Sequence, residues 1–190
     1  MGLPSDKYRL KALNALSCLV RGHPKAERAL CSDHDQDQHQ DQHQEHDSLQ
    51  GKGLDVLHSC FDTRASIRLR RKATFVTSAL LTSDHLDKPM LANYFGKLAP
   101  TLVGQLSTLD DVDVRESTIR ALTAFASRGL GAELVAAHGA SINAAIAAVQ
   151  AKASAAPPEE GKEDDRANHA EELLLWGQFK AALGGSPISM

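Results

Sequence analysis

Three thirteen-residue stretches constrain the fold of this chain more than any other feature. "YRLKALNALSCLV", "LRRKATFVTSALL" and "VRESTIRALTAFA" begin at Tyr8, Leu69 and Val114. Each sets small or apolar residues at i, i+4, i+7 and i+11. These are Tyr8, Ala12, Ala15, Leu19, then Leu69, Ala73, Val76, Leu80, then Val114, Thr118, Ala121, Phe125. That spacing places one stripe on one face of an α-helix. A second stripe runs beside it: Leu13, Leu16, Val20, then Thr74, Thr77, Leu81, then Ile119, Leu122, Ala126. A face this wide belongs to a helix packed on two neighbours. A fourth stretch, "EELLLWGQFKAAL", carries Glu172, Trp176, Phe179 and Leu183 in the same register.

The intervals between these stretches are regular once two inserts are removed. Leu69 to Val114 is 45 residues, Tyr8 to Leu69 is 61, and Val114 to Glu172 is 58. The Tyr8 to Leu69 interval is 16 residues longer than 45, and it contains the 15-residue run "DHDQDQHQDQHQEHD", Asp33 to Asp47. The excess of the Val114 to Glu172 interval matches "ASAAPPEEGKEDD", the 13 residues from Ala153 to Asp165. A unit of about 45 residues therefore recurs, and a helical period of roughly 40–47 residues marks armadillo or HEAT repeats. Between the long helices the remainder repeats too. A short helix ("HPKAERALCS", "DHLDKPMLANYF", "GLGAELVAAHG") precedes a medium one ("GLDVLHSCFD", "GKLAPTLVGQLST", "ASINAAIAAVQAK"). Gly51, Gly53, Gly96 and Gly139 punctuate the junctions, and Asp84 and Asp110 suit helix N-caps. Three helices per unit predict an all-α, armadillo-like, right-handed superhelical solenoid over residues 1–184, with a flexible tail at 185–190.

Composition agrees and narrows the function. The 190 residues are 42% hydrophobic but only 4% aromatic, and Ala and Leu lead the apolar set, which favours helices. A net charge of −3 supplies no global field to recruit nucleic acid or an anionic membrane. Cys18, Cys31 and Cys60 form no CxxC pair, so they read as small apolar residues of a reducing compartment. The N-terminus lacks an uninterrupted apolar h-region, Asp6 breaks the myristoylation pattern, and no apolar run reaches the roughly 20 residues of a bilayer span. A cytoplasmic location is the expectation.

The Asp/Gln/His run, with its flanks at 33–50, falls between the short and medium helices of the first unit. Its residues cannot build a core, and a long surface loop costs little closure entropy, so it reads as a disordered spacer. Its alternative is a metal site, since His39, His43 and His46 lie at helical spacing. No phosphate-binding glycine loop, H-E-x-x-H or nucleophile elbow occurs, so no enzyme and no small-molecule substrate or cofactor is expected.

At "KALNALSCLVRGHPKA" pattern meets family. This stretch, with "GLDVLHSCFD", "IRLRRKATFVTSALLTSD" and "EELLLWGQFKAAL", resembles the armadillo-type nucleotide exchange factors of the cytosolic 70-kDa heat-shock chaperone, the Fes/HspBP family. The resemblance covers most of the chain outside the two inserts. It implies a cochaperone that wraps a helical solenoid around one lobe of the chaperone's nucleotide-binding domain and promotes ADP release. Such a factor acts by binding the open conformer better than the ADP-closed one. Relative to the family pattern the sequence is N-terminally truncated, beginning inside a long repeat helix. Tyr8, Ala12 and Leu16 are then expected to lack a preceding repeat to pack on.

In such a stack the long helices line the partner-facing surface, and the residues off their apolar stripes meet the partner. These are Lys11, Asn14 and Cys18, then Arg68, Arg71, Lys72 and Phe75, then Asp113, Glu116, Ser117 and Arg120. "RLRRK" concentrates four cations on about one turn, a self-repulsion that a carboxylate-bearing partner offsets. Phe75 interrupts that polar face and reads as an interface anchor or, with the helix slightly rotated, as core. Trp176, the single Trp, reads as core. The competing function is a generic armadillo scaffold holding an extended peptide without exchange activity. Against it, the positions where peptide-binding arrays carry an Asn ladder hold Cys18, Ala79 and Ala124.

Overall fold

A computed structural model describes residues 5–31, 53–62, 64–108, 111–155 and 163–184. Among them every regular element is helical. The inferred spacer, including His39, His43 and His46, lies outside the described residues, as do Asp110 and the tail. The described chain divides into two compact units, residues 1–98 and 99–190.

In the first unit α1 (Asp6–Val20) and α4 (Ile67–Leu81) are two of the long helices read from the sequence. Between them come α2 (Pro24–Cys31) and α3 (Gly53–Ser59), the short and medium helices. Gly22, at φ +71°, occupies the left-handed conformation that lets the chain leave α1, and Pro24 starts α2 where its missing N–H costs nothing. α1 and α4 pack side by side and run parallel. At their N-terminal ends Asp6 Oδ2 accepts the N–H of Ser66, the residue before α4. Past their C-terminal ends the Glu27 carboxylate accepts from Gly22 N–H (3.2 Å) and from the Ser83 hydroxyl. Arg9 adds a tie from α1 to α3 through Ser59, its Nη2 3.1 Å from the Ser59 Oγ.

α5 (Lys88–Thr108) carries the chain across the boundary between the units. It is one helix where the sequence suggests two. Gly96 does not end it, and Pro100 sits inside it. Proline lacks the N–H that would reach the carbonyl of residue 96, so the helix carries one backbone bond fewer at this turn. The unit boundary falls at this weakened ladder. The expected cap Asp84 lies in a turn. Asp87 takes that role, accepting from Met90 N–H at 3.0 Å.

In the second unit α6 (Val112–Phe125) is capped by Asp111, whose side chain accepts from Val114 N–H at 3.0 Å. A single π-turn over Ala126–Leu130 follows, with Gly129 at φ +92° breaking the helical path. α7 (Gly131–Ala155) is again continuous through a glycine, Gly139, that was expected to separate two helices. Its run of alanines supplies the propensity to absorb a penalty of about 1 kcal/mol for one internal glycine. Leu134, Ile142, Ala145, Ile146 and Val149 form its buried side. The stretch Val112–Ala151 contains a window long and apolar enough to cross a membrane by length and composition, against the expectation that no apolar run reaches that length. α8 (Glu163–Ala182) completes the unit. The supposed linker 153–165 is therefore narrower than expected, since α7 reaches Ala155 and α8 begins at Glu163. The second and third units of sequence hold two helices each, not three.

The stripes predict the core well in three of the four long helices. Leu69, Ala73, Val76 and Leu80 are buried, as are Val114, Thr118, Ala121 and Phe125, and Glu172, Trp176, Phe179 and Leu183. On α1 the second stripe is the buried one, through Leu13 and Val20 together with Ser17. Tyr8, Ala12, Ala15 and Leu19 face outward.

Candidate functional site

On α1, Lys11, Asn14 and Cys18 are all exposed, and Arg21, one turn beyond Cys18, continues their line past the helix end. On the neighbouring α4, Arg68, Arg71 and Phe75 are exposed and Lys72 is half-buried. Two parallel helices thus present two parallel rows. The rows meet at Phe75, which keeps 45% of its surface open. Lys72 Nζ lies 5.1 Å from the ring centroid and the Arg21 guanidinium carbon 5.4 Å from it. A cation at that distance over an aromatic face is attracted by the ring quadrupole. The structure places Phe75 outside the core, so its helix is not rotated from the register read in the sequence.

Two consequences follow for the cations of α4. Arg70 turns aside, its Nε donating to the Ala65 carbonyl at 3.0 Å, so it closes the turn before the helix. Arg68, Arg71 and Lys72 remain on the outer side of a helix with no acidic residue in its first turn. Cations near a helix N-terminus oppose the helix dipole, and Asp6 from α1 supplies the compensating anion at Ser66. Its carboxyl is held below the usual range, chiefly by that backbone N–H. Beyond Phe75 the rows open into a groove of about 320 Å³ at the C-terminal ends of α1 and α4, where Arg21, Ser83, Asp84 and His85 line it.

The third predicted group lies in the second unit. Asp113 and Arg120 are exposed, and Glu116 and Ser117 half-buried, on one side of α6. Here the charges are engaged with one another. Arg120 reaches Glu116 at 3.6 Å one turn back and Glu171 of α8 at 2.9 Å. Burial, then the nearby Glu171 carboxylate, pushes the Glu116 carboxyl up, and Arg120 offsets this only in part. Lys11, Asn14, Arg68, Arg71, Lys72 and Phe75 are therefore brought together in one unit, while Asp113, Glu116 and Arg120 form a separate, internally paired cluster in the other.

Sequence reasoning missed Arg21, because it sits one residue past the last periodic position. The i, i+3, i+7, i+10 spacing of Lys11, Asn14, Cys18 and Arg21 was the available signal. It also missed Arg115, buried against Glu172. Among the described residues no group of three His, Cys, Asp or Glu side chains could hold a metal ion. Comparison with protein-family models, with curated proteins and with solved structures finds no match to this chain.

Proposed function

We propose that this protein is a cochaperone that binds the nucleotide-binding domain of the 70-kDa heat-shock chaperone through the α1–α4 face and promotes ADP release. The observation that carries the reading is the arrangement around Phe75. A large aromatic ring stands exposed between two cations, on a helix whose opposite face is fully buried. An exposed aromatic flanked by Arg and Lys is the composition of an interface centre, where such anchors dominate binding energy. Arg68, Arg71 and Lys72 supply charge that steers an acidic surface toward it. α1 runs parallel to α4, and α6 to α8, since Arg115 near the start of α6 meets Glu172 and Gly131 beyond its end lies beside Leu183; such pairing at the offsets of the sequence repeat is the local relationship of an armadillo-like stack. It supports the family resemblance on which the choice of partner rests.

The test is stopped-flow release of a fluorescent ADP analogue from the isolated nucleotide-binding domain. Wild type should accelerate release. A variant with Arg68, Arg71 and Lys72 each changed to Glu should bind more weakly and with a shallower dependence on salt. The apolar stripe Leu69, Ala73, Val76 and Leu80 is untouched, so its fold should survive. Binding without acceleration would identify a scaffold rather than an exchange factor. No binding at all would remove the chaperone as partner.

A further inference from the structure

Lys72 and Arg21 reach the Phe75 ring by different routes. Lys72 and Phe75 share α4 at i, i+3, so the helix alone brings that cation to the ring. Arg21 comes from the other helix and stands where α1 ends. Its backbone is extended, at φ −65° and ψ 114°, and Gly22 after it turns into the left-handed region at φ +71°. The helix therefore does not fix the direction of this exposed side chain. Its guanidinium carbon nevertheless lies 5.4 Å from the centroid of a ring that belongs to α4.

The Glu27 carboxylate joins the two helix exits. Glu27 lies on α2 and is 2% exposed. Its Oε1 accepts the N–H of Gly22, the residue directly after Arg21, at 3.2 Å. Its Oε2 accepts the hydroxyl of Ser83, just past the end of α4. Arg21, Gly22, Glu27 and Ser83 all line the groove at that end of the helices. A carboxylate has an acceptor for each arm, and hydrogen bonds to an ionised acceptor are about twice as strong as neutral ones. Burial keeps the side chain in place between the two exits. We propose that Glu27 is the positioning residue of the α1–α4 face: by holding Gly22 against Ser83 it holds Arg21 over Phe75. Without that latch Arg21 turns into solvent, and the ring keeps one of its two cations. The consequence for binding rests on this face being the partner surface; the placement of Arg21 does not.

Proton NMR tests this on the full chain without a partner. Protons held over an aromatic face are shielded, so side-chain protons of Arg21 and Lys72 should both resonate upfield in the wild type. Phe75→Leu should abolish both displacements. Glu27→Leu keeps the bulk and removes both acceptors. It should release Arg21 to an ordinary shift and leave Lys72 displaced. Glu27→Gln should restore Arg21, because its amide oxygen can accept from Gly22 while its amide nitrogen donates to the Ser83 oxygen. Circular dichroism checks the helices. If Glu27→Leu loses them, Ser83→Ala removes one arm only and should weaken the Arg21 displacement with Lys72 unchanged. Titration with the chaperone's nucleotide-binding domain adds the binding arm, in which Glu27→Leu should raise Kd about fivefold and Glu27→Gln should reverse this. A wild type that does not bind the domain removes the chaperone as partner, and the NMR result still decides the latch. Arg21 still displaced in a folded Glu27→Leu overturns the proposal. So does Lys72 relaxing together with Arg21, which would make Glu27 a general packing residue. So does Glu27→Leu binding the domain as tightly as wild type with Arg21 released.

Discussion

Arg115 and Glu172, 57 residues apart in sequence, meet in a buried two-pronged ion pair, with Nε–Oε1 and Nη2–Oε2 both at 2.8 Å. The two side chains are 7% and 1% exposed and tie α6 to α8. A planar guanidinium against a carboxylate satisfies two donors and two acceptors at once, the geometry in which a buried pair can offset its desolvation. Removing one partner should therefore cost far more than removing both. Arg115→Met is expected to destabilise the second unit by about 3–5 kcal/mol, because Glu172 is left charged and unpaired. Arg115→Met with Glu172→Leu should recover most of that loss. Urea denaturation of the two variants decides it, and equal losses would mean the pair itself carries the stability.

Glu116 should give stability an opposite dependence on pH from an ordinary paired carboxylate. Its folded value lies above its unfolded one, because burial and Glu171 outweigh Arg120. Its favourable contribution is thus complete below the unfolded value of about 4.3 and is lost as pH rises through the folded value. Glu116→Gln should therefore stabilise the chain at neutral pH, with Arg120 still held by Glu171, and the gain should shrink toward about pH 4. Denaturant midpoints at the two pH values measure this, and a gain that is the same at both would contradict it.

Phe75→Ala separates surface from core. With nearly half the ring exposed, truncation should change stability by about 1 kcal/mol or less. If the ring anchors the chaperone's nucleotide-binding domain, the same change should cost about 2 kcal/mol of binding, roughly thirtyfold in Kd. Calorimetric titration beside a thermal melt reads both quantities. A large drop in Tm with unchanged Kd would make Phe75 a structural residue.

Gln105 is 5% exposed, and among the described residues neither its amide nitrogen nor its amide oxygen has a hydrogen-bond partner. Gln105→Met keeps the shape and removes the unpaired groups. It should raise stability by about 1 kcal/mol. The denaturant midpoint should rise with an unchanged slope, and a fall would show that the amide is satisfied in solution.

Amide exchange should be fastest in α1 among the four long helices when measured at low protein concentration. Of its fifteen residues only Leu13, Ser17 and Val20 are buried, so opening it exposes little apolar surface. Slow exchange throughout α1 under dilution would place an unrecognised cover on Tyr8 and Leu19.

The four long helices and three of their four buried stripes were legible in the sequence because a 3.6-residue period is a local property. Each helix carries its own signal whatever it packs against. The repeat intervals added which helices correspond, and the parallel α1–α4 and α6–α8 pairs follow those intervals. Helix continuity was not legible. Gly96, Pro100 and Gly139 are breakers by propensity, yet α5 and α7 run through them because apolar residues on both sides are buried along one helix, as Leu134 and Ile142 are around Gly139. The candidate surface was half legible. Lys11, Asn14, Arg68, Arg71, Lys72 and Phe75 could be named from their places off the stripes. That Arg21 joins them at Phe75, and that Arg120 is instead occupied by Glu171, depends on residues about 50 positions apart being brought to within a side chain's length. No period in the sequence encodes such pairings. Only the packing of one helix on another decides them.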